Sequence, residues 1–167
     1  IWPSLPGNER QTIMGKWSVT NSKGYALGIN PEGKLEFWIG DGKKVDKLAS
    51  EVTLIPKVWL FVAVTYNSVS GETTIVQESV QNSWNSLIGP VTPYNHNSVV
   101  KEKLRIKPAY DDIDFLLAGS NEENKERGKF VSMLFNGKID RCGVINRELT
   151  QKELDGVKLG HAPNNPL

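Results

Sequence analysis

"GYALGINPEGKLEFWIGDG", Gly24 to Gly42, carries the pattern that decides the fold. Tyr25, Leu27 and Ile29 alternate with the small Ala26 and Gly28, which is the period of a strand with one face buried. Asn30-Pro31-Glu32-Gly33 then supplies a turn, with Pro31 presetting φ and Gly33 closing it. Leu35, Phe37 and Ile39 resume the alternation against Glu36 and Trp38, and Gly40-Asp41-Gly42 ends it. The stretch is a β-hairpin with one apolar face.

The same grammar runs outward from it. "VWLFVAVTY" (58–66) is apolar on both faces and predicts a central strand covered on both sides, turned by "NSVSG" into "ETTIVQES". Residues 80–97 are irregular and rich in Asn, Ser and Pro, a long loop. A strand near 98–106 and another in "DFLLAG" follow; "SNEENKERGK" reads as a solvated loop between them and the next hairpin. In "FVSMLFNGKIDRCGVI", Asn136-Gly137 fits a two-residue hairpin turn. The one clear helix starts at Thr150, where Glu153 completes a capping box and Leu149 with Leu154 has staple spacing; it runs to about Lys158. Short strands without a βαβ rhythm predict an all-β, two-sheet antiparallel sandwich with one short C-terminal helix. Its expected limits are 1–159, with 160–167 as an exit linker.

Composition removes several functions. Twenty basic residues against nineteen acidic ones leave a formal net charge of +1. Lys101, Lys103, Arg105 and Lys107 alternate on what should be a solvated strand face, so nucleic acid is not an expected partner. No apolar run is long enough to span a bilayer, so no membrane partner is expected either. Cys142 is the only cysteine; it favours a reducing, cytoplasmic compartment and reads as a buried, inert side chain. Ile1 in place of an initiator Met suggests a domain excised from a longer polypeptide.

The order of these pieces resembles the laminin-G-like, concanavalin A-like jelly-roll domains. The resemblance is carried by "GYALGINPEGKLEFWIGDG", "WLFVAVTYNSVSGETTIV", "DFLLAGS" and the closing "FNGKIDRCGVINRELTQKEL", and covers about residues 11–158. The opening "IWPSLPGNERQTIMGKW" is further similar to the N-terminal laminin-G-like domain of N,N-dimethylformamidase large-subunit-type proteins. That resemblance implies a multidomain amidohydrolase whose iron-containing catalytic centre lies in another domain. The chain itself would then be a non-catalytic accessory domain, partnered by its own catalytic domain or by other subunits. The alternative on the same fold is a lectin-like, carbohydrate-binding module.

Candidate sites are few. Glycosidases of this fold present carboxylates at alternate positions of one strand. "YDDID" has no glutamate, and "NEENKE" has no apolar alternation to make it a strand. The two histidines lie in loops and no serine sits in a nucleophile elbow, so no catalytic residue is assigned. Trp84, Tyr94 and His96 are loop residues that could contact a sugar or a protein partner, or simply roof the sandwich. Trp17, Trp38 and Trp59 are read as packing. Asp140, sharing a strand face with Cys142 and Val144, should point to the edge of the core; it could bind calcium or cap backbone N–H groups. Asp111, Asp112 and Asp114 form a second acidic group that could hold calcium or be a plain Asx turn.

Overall fold

The structure is a computed structural model that describes residues 1–80 and 96–163. Its elements are β1 (Trp2–Pro3), β2 (Gln11–Ser18), β3 (Lys23–Ile29), β4 (Lys34–Asp41), β5 (Val45–Thr53), β6 (Leu60–Tyr66), β7 (Glu72–Ser79), β8 (Ser98–Lys103), β9 (Leu116–Leu117), β10 (Ser120–Asn124), β11 (Gly128–Ser132), β12 (Gly137–Lys138) and α1 (Gln151–Lys158). The larger sheet runs β11-β10-β2-β3-β4-β5, with β9 also paired to β2; the smaller runs β6-β7-β8, and β1 pairs with β12. Pairing among the described residues is antiparallel apart from one bridge, Asn121 to Ser18. Among the described residues the protein is an all-β sandwich with one short helix.

The β3–β4 hairpin forms as its sequence dictates. Gly33, at φ +81°, donates to the Asn30 carbonyl at 2.9 Å, and the Asn30 side chain accepts from the Lys34 N–H at 2.9 Å. Leu27, Ile29, Leu35, Phe37 and Ile39 face the smaller sheet and enclose the core with Leu60 and Ile75. The inward side of β6 continues it through Val62, Val64 and Tyr66. Its other side, Phe61 and Ala63, packs with Val76 under Leu149 and Leu154, so the helix lies on the outer face of the smaller sheet. Both faces of β6 are covered, as its composition requires, yet among the described residues β6 is an edge strand and β7 takes the centre.

The helix begins where the capping box predicts. The Thr150 side chain accepts from the Glu153 N–H, and the Glu153 carboxylate accepts from the Thr150 N–H at 2.9 Å. Arg147 holds the same carboxylate with two hydrogen bonds, at 2.6 and 3.2 Å. Lys158 reaches Glu78 on β7, which ties the last turn of the helix to the sheet.

Two further expectations fail. Asn136-Gly137 does not close a hairpin, because β12 pairs with β1 rather than with β11. The hairpin forms earlier, from the segment read as a solvated loop: β10 pairs with β11 from Ser120↔Ser132 to Asn124↔Gly128. The Asn124 side chain accepts from the N–H groups of Glu126 (3.1 Å) and Arg127 (2.7 Å), and Gly128 takes φ +66°. An Asx turn closed by glycine makes this hairpin from backbone geometry, and strands at a sheet's edge do not need apolar alternation to pair. The second failure is the strand expected to run through Asp140. Among the described residues no ladder continues past Lys138, and Arg141 at φ +47° breaks the extended alternation. Asp140, Cys142 and Val144 are all exposed instead of facing the core.

Candidate functional site

The face of the larger sheet turned away from the core is built from unusual residues. Outward positions on β3 and β4 are Gly24, Ala26 and Gly28, and Glu36, Trp38 and Gly40. Trp17 of β2 and Trp38 lie across this floor and meet edge to face, with ring centroids 6.2 Å apart and planes at 88°. Each indole occupies the space above a glycine: a Cβ on Gly28 would fall 2.5 Å from the Trp38 ring, and one on Gly40 would fall 2.8 Å from the Trp17 ring. Only glycine permits this approach.

Arg10 covers the pair. Its guanidinium lies 5.0 Å from the centre of the Trp38 ring and forms an ion pair with Glu36. Glu36 is only 6% exposed, and Asn30 also reaches it at 3.4 Å. A carboxylate this buried requires a partner, and the planar guanidinium satisfies both the charge and the ring. Val45, Lys47 and Met133 rim a shallow depression beside the indoles. The expectation that Trp17 and Trp38 are packing residues holds, although they pack on the outer face and not between the sheets.

The acidic residues considered for calcium are not brought together. Asp140 is exposed and pairs with its neighbour Arg141 at 3.1 Å. Asp111 accepts from the Lys23 ammonium at 2.8 Å and from the Asn21 amide at 2.6 Å. These two bonds, the Lys23 one foremost, hold its carboxyl below the usual carboxylate range. Asp112 and Asp114 are exposed, and Asp114 contributes its backbone carbonyl to Asn121 at 2.9 Å. Among the described residues no group of three or more His, Cys, Asp or Glu side chains could hold a metal ion. On β10, Glu122 and Glu123 are successive strand residues and so point to opposite faces, which separates the one pair of glutamates in that strand.

Trp84 and Tyr94 lie outside the described residues. His96 is half-buried, and its carbonyl accepts from the Gln77 side chain at 3.0 Å. Around it sits a polar group that sequence reading missed. Gln77 is fully buried, and Gln77 Oε1, Ser79 Oγ and His96 Nδ1 are buried without hydrogen-bond partners among the described residues. The signal was available: Gln77 follows Thr73 and Ile75 at the inward positions of β7, where a polar side chain is out of pattern.

Comparison with known proteins bears on what this domain belongs to. No family model matches the chain. It is 30% identical over 155 residues to the N,N-dimethylformamidase beta subunit of Paracoccus aminophilus, covering 92% of this chain and 20% of that protein. To the beta subunit of the same name from Alcaligenes sp it is 26% identical over 162 residues, covering 96% of this chain and 21% of that protein. A solved S-layer domain-containing protein (residues 221–444) from Clostridium thermocellum matches at 17% identity and a TM-score of 0.40, over 95% of this chain and 67% of that one. That likeness is too low to carry any inference. Along nearly its whole length the chain is similar to one stretch of the dimethylformamidase beta subunits, and it spans about a fifth of the length of those relatives.

Proposed function

We propose that this chain is a non-catalytic accessory domain of a longer, dimethylformamidase-like polypeptide, packing against the catalytic part of that polypeptide or against other subunits. The observation that carries the reading is the asymmetry of the similarity. More than nine-tenths of this chain aligns, against only a fifth of each relative, so most of the relatives' substance, and room for their chemistry, lies elsewhere. The ordered carboxylates support it. Glu36, Glu78, Asp111 and Glu153 are each held by a cation, in Arg10, Lys158, Lys23 and Arg147. A carboxylate fixed in an ion pair stabilises the scaffold and is poorly placed to take up or deliver a proton during turnover.

The test is amide hydrolysis by three preparations: the full polypeptide, the polypeptide lacking residues 1–159, and this chain alone. This chain alone should release no dimethylamine from dimethylformamide, and removing it should impair assembly or stability of the remainder. Turnover that follows the isolated chain and vanishes on replacing one of its carboxylates would overturn the reading.

A further inference from the structure

The two layers of the sandwich differ in width. The smaller sheet makes its main contacts with β4 and β5, whereas the larger sheet continues past β2 into β9, β10 and β11. On that overhang the apolar side chains are uncovered. Leu117 on β9 pairs with Met14, a residue of the core side, and is 50% exposed. Val131 on β11 lies on the opposite side from Ser132. Ser132 pairs with Ser120, whose hydroxyl meets Thr12 at 2.6 Å on the outward face. Val131 therefore belongs to the core side as well, and it too is 50% exposed.

Leu134 completes the group at 65% exposed. Val131 and Leu134 meet at Gly119, where a Cβ would lie 2.5 Å from Val131 and 3.4 Å from Leu134; Leu117 is on the neighbouring strand β9, two residues earlier in the chain. Among the described residues β11 is also the last strand of its sheet, so one row of its N–H and C=O groups faces outward. Apolar side chains beside an open strand edge are what monomeric proteins avoid leaving in water. Other exposed apolar residues are scattered, such as Val69 in the β6–β7 turn and Leu159 after the helix.

We infer that this overhang is the surface by which the domain docks on its own longer polypeptide, and that its occupant is an apolar, extended segment of that polypeptide outside residues 1–167. The inference rests on the accessory-domain reading above and specifies the face that reading requires. The length of the relatives favours this occupant: four-fifths of a dimethylformamidase beta subunit lies outside the stretch that aligns here, tethered to it and at high local concentration. An extended segment suits the site because it can satisfy the β11 edge with its backbone and the Leu117–Val131–Leu134 group with alternate side chains.

The experiment places a photo-reactive benzoylphenylalanine at position 131 or 134 of the full polypeptide, with position 69 as a control. Isotopically light and heavy chains are mixed so that links within one chain are told from links between chains. Positions 131 and 134 should link to sequence beyond residues 1–167 of the same chain, position 69 should not, and the link from 131 should be lost on Leu117→Asp with Leu134→Asp. Links between chains would overturn the inference in favour of a second copy as occupant. Links to the rest of the chain from position 69 but not from 131 or 134 would overturn the docking face and leave the accessory role standing. Absence of any link within the chain would overturn the inference. If removal of residues 1–159 also left assembly and activity unchanged, the accessory reading would fail with it.

Discussion

Replacing Gly28 by alanine tests the outward tryptophan layer with a single methyl group. The new Cβ would lie 2.1 Å from the Gln11 carbonyl oxygen and 2.5 Å from the Trp38 ring. A Cβ contact under 3.0 Å forces a shift, and the backbone oxygen cannot yield cheaply because β2 and β3 are paired there. The paired backbone must therefore shift to relieve the oxygen, and the indole must move as well, although it is only 2% exposed, wedged against Trp17 and capped by Arg10. Overpacking of this kind costs about 1–3 kcal/mol. Disturbing the edge-to-face pair adds about 0.5–1.5 kcal/mol, and disturbing the cation–π contact about 0.5–1 kcal/mol. A total near 4 kcal/mol lowers the melting temperature of a domain this size by about 8–16 °C. Thermal unfolding followed by circular dichroism reads this directly. Gly143→Ala is the control, because nothing lies within 4 Å of the position a Cβ would take, and it should stay within about 0.5 kcal/mol of the parent. If the two variants melted together, Trp38 would not lie over Gly28 and the outward layer would be wrong.

Thr150→Ala removes the acceptor for the Glu153 N–H and should cost about 1 kcal/mol in chemical denaturation; no change would mean that the cap contributes nothing. Glu153 carries a pH dependence: the Arg147 guanidinium foremost, then the Thr150 N–H and hydroxyl, hold its carboxyl at about 2 against an ordinary 4.5. A depressed carboxyl contributes stability that is complete above the unfolded value and lost as pH falls through the folded one. Denaturant midpoints should therefore decline from about pH 5 towards pH 2, and Glu153→Gln should flatten that limb; an unchanged acid limb would count against the pair. Calcium at millimolar concentration should leave the melting temperature unmoved relative to chelator, since Asp140 and Asp111 are already paired with Arg141 and Lys23. A site filled to a hundredfold excess over its Kd would add about 2.7 kcal/mol, so a shift of several degrees that disappears in Asp140→Asn would establish a calcium site there.

The alternation in 24–42 and 58–79 was sufficient by itself to determine an all-β chain, which residues of β3 and β4 face the core, and the turn at Asn30–Gly33; β6, apolar on both faces, gave no such assignment. It also determined the helix start, because a capping box needs only residues three apart. These are local properties, set by side chains within a few bonds of each other. Partners distant in sequence were not legible. Asn136-Gly137 looks like a hairpin turn, yet β12 bonds to β1, because strand pairing depends on which edge is open once the sheets have assembled. The charged segment at 120–132 became a hairpin because an edge strand is held by backbone bonds that any sequence supplies. Asp140 shares a period-two face with Cys142 on paper, and a single left-handed residue, Arg141, removes the period. Only tertiary structure could decide that Trp17 and Trp38 meet on the outer face above glycines from a different strand, or that Leu117, Val131 and Leu134 are left uncovered. The physical reason is the same in each case: burial depends on what packs from the far end of the chain, and strand periodicity says which side a residue takes but not what, if anything, will cover it.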